Sequence, residues 1–96
     1  MSRQGGAGGT TSDAARRGLA RLMLKLPGLR AGLQAAALRS RDLDELFEAY
    51  EIAAVALETF RRSGDLARTS EYEGLCSGIE EDVTQHILRT NSHIQK

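Results

Sequence analysis

The side chains best suited to metal binding or nucleophilic catalysis are one cysteine and two histidines, Cys76, His86 and His93. A structural zinc site needs closely spaced ligand pairs such as C-x-x-C or H-x-x-x-H, and these three residues form no such pair. Reactive thiolates need nearby positive charge, whereas Cys76 has Glu73 and Glu80 as its charged neighbours in the sequence. We therefore expect no metal site, with Cys76 buried as a small apolar residue and His86 at the edge of the core.

Acidic side chains are concentrated in two short runs, at 44–48 and 80–82. Paired carboxylates can act as general acid and base, but no further polar residues accompany these runs, so a solvated surface is the simpler interpretation. The glycine-rich stretch at 5–9 precedes no predicted strand, as a phosphate-binding loop would require. The sequence thus predicts a protein that is not an enzyme and that holds no cofactor.

The segment 42–63 contains neither glycine nor proline, so nothing in it interrupts a helix. We expect the other elements to pack around it. Its apolar residues recur at the spacing of one helical face: Leu43, Leu46, Phe47, Tyr50, Ala53, Ala54, Leu57 and Phe60. Asp42 and Glu45 have the spacing of an N-terminal capping box, and Gly64 provides a helix stop just after the last turn. We predict one long helix over this segment.

Residues 66–89 also carry apolar side chains at helical spacing, so we predict another helix there, with Asp65 as a candidate N-cap. Because the connection from 42–63 is short, the two segments are expected to form an antiparallel helix hairpin. Gly74 and Gly78 fall beside the stripe, and we interpret them as positions where two helices approach closely.

Two shorter helices are predicted before the hairpin. The segment 15–26 has an apolar stripe opposite a basic one, an N-cap at Thr11, Ser12 or Asp13, and a stop at Pro27-Gly28. The segment 29–39 is rich in alanine, which favours helix. The predicted fold class is therefore all-α: a small helical bundle built on a long antiparallel hairpin, about 42–63 and 66–89, with one or two N-terminal helices.

The whole chain predicts a single helical domain over 11–90. Residues 1–10 are glycine-rich and almost without apolar side chains, so we expect a disordered tail there. Residues 91–96 are polar and are expected to fray. A domain of this size buries only about 60% of the surface of its unfolded chain, which makes its stability marginal.

Charge is divided unevenly between the two parts of the chain, although 13 basic and 13 acidic residues give a net charge of zero. Residues 1–41 contain eight basic residues and one acid, a net of +7, and residues 42–96 contain five basic residues and twelve acids, a net of −7.

The single cysteine is typical of a reducing compartment, and no apolar run reaches the ~18 residues of a membrane span. We therefore expect a cytoplasmic protein without a membrane partner.

Five basic residues lie on the first predicted helix or just after the turn that ends it, and together we call them the charged rim: Arg16, Arg17, Arg21, Lys25 and Arg30. Such a face can contact phosphates, so binding of nucleic acid through the basic segment 14–30 is one alternative function. It is disfavoured because no adjacent aromatic residue can stack on bases and because the acidic hairpin would repel a polyanion. A targeting segment is a further alternative, because residues 14–41 are Arg-rich, nearly free of acids and amphipathic, as transit peptides are. The glycine-rich start before Asp13 is not typical of them.

A second apolar stripe on 42–63 is the feature that points to a function. It consists of Ile52, Val55, Ala56 and Thr59 and lies away from the face that the hairpin should bury. A surface helix normally has one apolar stripe, so something must cover the second. Together with the apolar side of the first helix, it predicts a protein-binding site that contains eight residues: Ile52, Val55, Ala56, Thr59, Leu19, Leu22, Met23 and Leu26.

The stretch EAYEIAAVALETFRRSGDLARTSEYEGLCSGIEEDV, residues 48–83, resembles a group of small helical antiactivator-type proteins of rhizobial integrative and conjugative elements. The resemblance lies in an A-Y-E helix, a short turn, and then Y-E-x-L-C-x-x-I-E. Such proteins bind and silence quorum-sensing or excision activators, so the resemblance implies a transcriptional activator as partner. A self-associating structural homodimer is the other alternative, in which the spare stripe is covered by a second copy.

Overall fold

The computed structural model describes residues 12–39 and 41–94, with side chains described as far as Thr90. These described residues form four α-helices, and a short 3₁₀ turn at Pro27–Leu29 joins the first two. The helices are α1 (Asp13–Lys25), α2 (Arg30–Arg39), α3 (Asp44–Ser63) and α4 (Leu66–Ile94). No strand occurs in the described part of the chain, and the predicted all-α bundle with a long hairpin is confirmed. The predicted tail at 1–10, Thr11, and the last two residues lie outside the described ranges.

Most helix ends follow the predicted chemistry. The Ser12 hydroxyl accepts a hydrogen bond from the Ala15 amide at 3.0 Å, which caps α1. The Asp65 carboxylate accepts one from the Arg68 amide at 3.0 Å and so caps α4. Gly64 ends α3 with a left-handed φ of 77°, a conformation that glycine adopts without steric cost.

Two helix boundaries differ from prediction. Helix α3 begins at Asp44, two residues after the predicted start, and Leu43 occupies its cap position without a side-chain hydrogen bond of its own. The capping box at Asp42 and Glu45 stays a prediction. Helix α4 continues to Ile94, past the predicted end at residue 89 and into the segment 91–96 that was expected to fray.

Helix α3 is the centre of the bundle. It packs along α1 on one side and along α4 on the other, while α2 bridges α1 and α4. The largest fully enclosed side chains come from all four helices: Phe47, Leu22, Leu33, Ile87 and Val83. The apolar stripes predicted for the hairpin are therefore the surfaces that form the core, with Leu33 of α2 closing it.

Glycine marks the closest helix contact, but at a position other than the predicted ones. A Cβ atom added to Gly18 of α1 would lie 1.8 Å from the carbonyl oxygen of Phe47 in α3. A Cβ atom added to Gly74 or Gly78 would meet nothing within 4 Å. The interpretation of Gly74 and Gly78 as close-approach sites is thus wrong, because both face away from the neighbouring helices.

Candidate interaction surfaces

A cleft of about 420 Å³ opens between α1, α3 and α4, and an ion-pair network occupies one of its walls. Arg21 of α1 donates from Nε to Oε1 of Glu51 at 2.6 Å and from Nη1 to Oε2 of Glu58 at 3.0 Å. Glu51 is only 8% exposed, so Arg21 neutralises a carboxylate that would otherwise be buried alone. The hydrogen bond to Glu51, followed by that to Glu58, raises the pKa of the Arg21 guanidinium. The acidic hairpin therefore receives the basic helix of its own chain.

A second set of polar side chains at the cleft is also paired internally. The Tyr50 hydroxyl donates to Oε2 of Glu80 at 2.5 Å, and the Lys25 ammonium lies 3.9 Å from the same oxygen. Burial, and then the hydrogen bond to Glu80, raise the pKa of Tyr50 well above its usual value, which keeps the hydroxyl protonated as the donor. At the far end, Arg61 donates to Glu73 at 3.0 Å. The charged groups that line the cleft therefore pair mainly with one another and connect α1, α3 and α4.

Cys76 lines this cleft but has the properties of a structural residue. Its side chain is buried, and burial, followed by the charge of Glu80, raises the pKa of its thiol. Among the described residues, no group of three or more His, Cys, Asp and Glu side chains is placed to hold a metal ion.

We expect Cys76 to react slowly with a thiol reagent such as iodoacetamide at neutral pH. Both burial and the raised pKa lower the fraction of accessible thiolate. Alkylation followed by mass spectrometry, with and without urea, measures this protection directly. Labelling in the native protein should be many times slower than in urea; equal rates would contradict the buried position.

The stripe formed by Ile52, Val55, Ala56 and Thr59 lies on the outer face of α3, opposite the core. Ile52 is 62% exposed and Val55 is 44% exposed, whereas Ala56 is half-buried. The exposed Thr59 hydroxyl donates to the carbonyl of Val55 at 3.1 Å, within its own helix. The described chain therefore leaves the apolar centre of this face uncovered.

The predicted apolar side of the first helix divides between the core and a surface groove. Leu22 is completely enclosed in the core, so its assignment to a partner-binding face is corrected: packing within the hydrophobic core takes its whole side chain. Leu19, Met23 and Leu26 are partly buried and pack against the same core.

An apolar groove of about 460 Å³ runs between α1 and α2. It is lined by five residues: Leu19, Met23, Gln34, Ala37 and Leu38. Leu38 is 88% exposed, the largest value among the exposed large apolar residues of the described chain. The sequence reasoning missed Leu38 because it lies off the face formed by Leu33 and Ala36, although an exposed leucine in the last turn of a short helix was a usable indication.

The five basic residues of the charged rim have different surroundings. Arg21 and Lys25 point into the cleft and pair with α3 and α4, as described above. Arg16 forms an exposed ion pair with Asp13 one turn earlier in α1. Arg17 and Arg30 are exposed and make no ion pair with the described residues. Only part of the predicted basic face is thus available to another molecule.

No helix in the described part of the chain combines the length and apolar character needed to cross a membrane. Comparison of the chain with protein-family models, with curated proteins and with solved structures found no match.

Proposed function

We propose that this protein is a small, non-enzymatic, cytoplasmic interaction protein, an antiactivator that binds and sequesters a transcriptional activator through apolar helix surfaces. The observation that carries the proposal is the groove between α1 and α2, where Leu38 is 88% exposed beside Leu19 and Met23. A partner that lays the apolar face of an amphipathic helix into this groove would remove that surface from water.

The charge around the groove suggests the character of the partner helix. Arg30, which makes no ion pair with the described residues, lies one turn before Gln34 in α2, and Arg16, which is paired with Asp13, lies one turn before Leu19 in α1. Side chains at these spacings share a helix face. A binding segment with acidic residues beside its apolar face would be attracted to this surface, since charge complementarity speeds encounter and selects partners.

Two further observations support a protein partner. The resemblance of residues 48–83 to antiactivator-type proteins suggests that the partner is an activator of transcription. Nucleic acid is a weaker alternative, because Arg21 and Lys25 pair with acids of the same chain and leave fewer cations for phosphates.

A photo-crosslinking experiment in the source organism tests the proposal. A photoreactive phenylalanine analogue placed at Leu38 is expected to capture a transcriptional activator, identified by mass spectrometry. The same analogue at Gln85, an exposed position on α4, is the matched control and should capture much less of it. Overproduction of the unmodified chain should lower transcription from the activator's promoters, and Leu38→Glu should remove that effect because it places a charge in the groove.

Capture of no regulator at Leu38, or unchanged transcription on overproduction of the chain, would contradict the proposed function. Crosslinking of the analogue at Leu38 to nucleic acid, and not to a protein, would favour the nucleic-acid alternative.

A further inference from the structure

We infer that two copies of this chain associate through the outer face of α3, with the two α3 helices antiparallel about a two-fold axis between Ile52 and Val55. This interface is separate from the groove between α1 and α2, so the inference does not depend on the proposed function.

The apolar centre of the face needs a cover that the chain does not provide. Ile52 and Val55 are 62% and 44% exposed, and both are β-branched residues, which are poorer helix formers than alanine, glutamate or lysine. At solvated positions they contribute little to the helix. Their presence is explained if another helix packs against them.

The residues along this face follow the spacing of a helix–helix seam. Six positions alternate by three and four residues: Glu45, Glu48, Ile52, Val55, Thr59 and Arg62. Such a seam presents one continuous stripe to a partner helix. It is acidic at its first turn, apolar in the middle and basic at its last turn.

That order is self-complementary only when the second helix runs in the opposite direction. The antiparallel arrangement places Ile52 opposite Val55 of the second copy and Glu45 opposite Arg62 of the second copy. A parallel pair would instead oppose Glu45 with Glu45 and Arg62 with Arg62, and like charges so placed are unfavourable. Because the interface is isologous, each favourable contact occurs twice.

The terminal charges are available for this pairing. Glu45, Glu48 and Arg62 make no ion pair with other described residues, unlike Arg21 and Arg61, whose pairs hold the bundle together. A second copy supplies the opposite charge at both ends of the face.

The size of the face indicates a weak dimer. From Glu45 to Arg62 the helix is roughly 26 Å long at a rise of ~1.5 Å per residue, and a single helix pair lies at the low end of interface sizes. We therefore expect a dissociation constant in the micromolar range.

Sedimentation velocity of the full chain, from low micromolar to several hundred micromolar, is the first test. The wild-type protein should change from monomer to dimer across this range, whereas Val55→Glu should remain monomeric with unchanged helicity by circular dichroism. Gln85→Glu adds the same charge on the exposed side of α4 and should dimerise like the wild type. A wild-type chain that stays monomeric at every concentration would overturn the inference.

Charge reversal then tests the antiparallel arrangement. Glu45→Arg and Arg62→Glu should each weaken self-association by about tenfold or more, because each places like charges opposite one another. An equimolar mixture of the two variants should dimerise again, since in the mixed pair both ends become complementary. Dimerisation of either single variant at wild-type strength, or no recovery in the mixture, would contradict it.

Leu38→Glu separates this inference from the proposed function, because it should leave dimerisation unchanged while removing partner capture. Loss of dimerisation in that variant would place the self-association surface at the groove instead.

Discussion

Replacing Gly18 with alanine is expected to destabilise this protein by about 3 kcal/mol, at the upper end of what overpacking a core usually produces. The new Cβ atom would lie 1.8 Å from the carbonyl oxygen of Phe47. The position of the Cβ atom is fixed by the backbone of α1, and the oxygen belongs to the backbone of α3, so no side-chain rotation can relieve the overlap and α1 must move away from α3. Because a domain of this size has only about 5–15 kcal/mol of stability, the loss should appear as a large decrease in the urea midpoint.

Gly78→Ala is the matched control, because it makes the same chemical change on α4 where a Cβ atom meets nothing within 4 Å. Glycine inside a helix is about 0.5–1 kcal/mol less favourable than alanine, so this variant should be slightly more stable than the wild type. Urea unfolding followed by circular dichroism compares the two. Equal effects of the two substitutions would show that α1 does not approach α3 at Gly18.

Arg21→Glu is expected to have the second largest effect, a loss of about 3 kcal/mol at neutral pH. The substitution removes the cation that lies 2.6 Å from Glu51 and 3.0 Å from Glu58, and it adds a third carboxylate beside them. Since Glu51 is buried, its charge would remain without a partner. Thermal unfolding at neutral pH measures the loss.

Two variants identify the origin of this effect. Arg17→Glu reverses a charge in the same helix at an exposed position without an ion pair to the described residues, and it should change stability by less than about 0.5 kcal/mol. Arg21→Glu combined with Glu51→Arg should recover part of the lost stability by restoring opposite charges. A similar loss for Arg17→Glu would mean that the overall charge of α1, rather than the pair with Glu51, stabilises the bundle.

Much of the fold could be predicted because local chemistry determines it. The apolar spacing of α3 and α4, the cap at Ser12 and the stop at Gly64 each depend on residues close together in the sequence, and the structure confirms them. The role of Gly18 could not be predicted, because it depends on which backbone lies opposite. From the sequence alone, the close approach was assigned to Gly74 and Gly78 instead.

The candidate surfaces show the same limit. Spacing separated Ile52 and Val55 from the core face of α3, and both are exposed; their binding of another molecule stays a prediction. Spacing did not separate Leu22, which is enclosed, from Leu19 and Met23, because the direction from which α2 covers α1 is a tertiary property. The same property leaves Leu38 exposed.

The uneven charge distribution, basic before residue 42 and acidic after it, favours contact between the first helix and the hairpin. In the structure Arg21 and Lys25 make this contact within the chain. The individual pairs depend on the rotation of α1 about its axis, which net charge does not determine. That rotation also decides which arginines stay available to another molecule.

The most direct test of the claim that a second copy covers the outer face of α3 is an isotope-filtered NMR measurement on an equimolar mixture of labelled and unlabelled protein. At a concentration where the dimer predominates, we predict intermolecular nuclear Overhauser effects between the methyl groups of Ile52 in one copy and those of Val55 in the other. Intermolecular effects confined to other surfaces, or none from these two residues, would contradict the account.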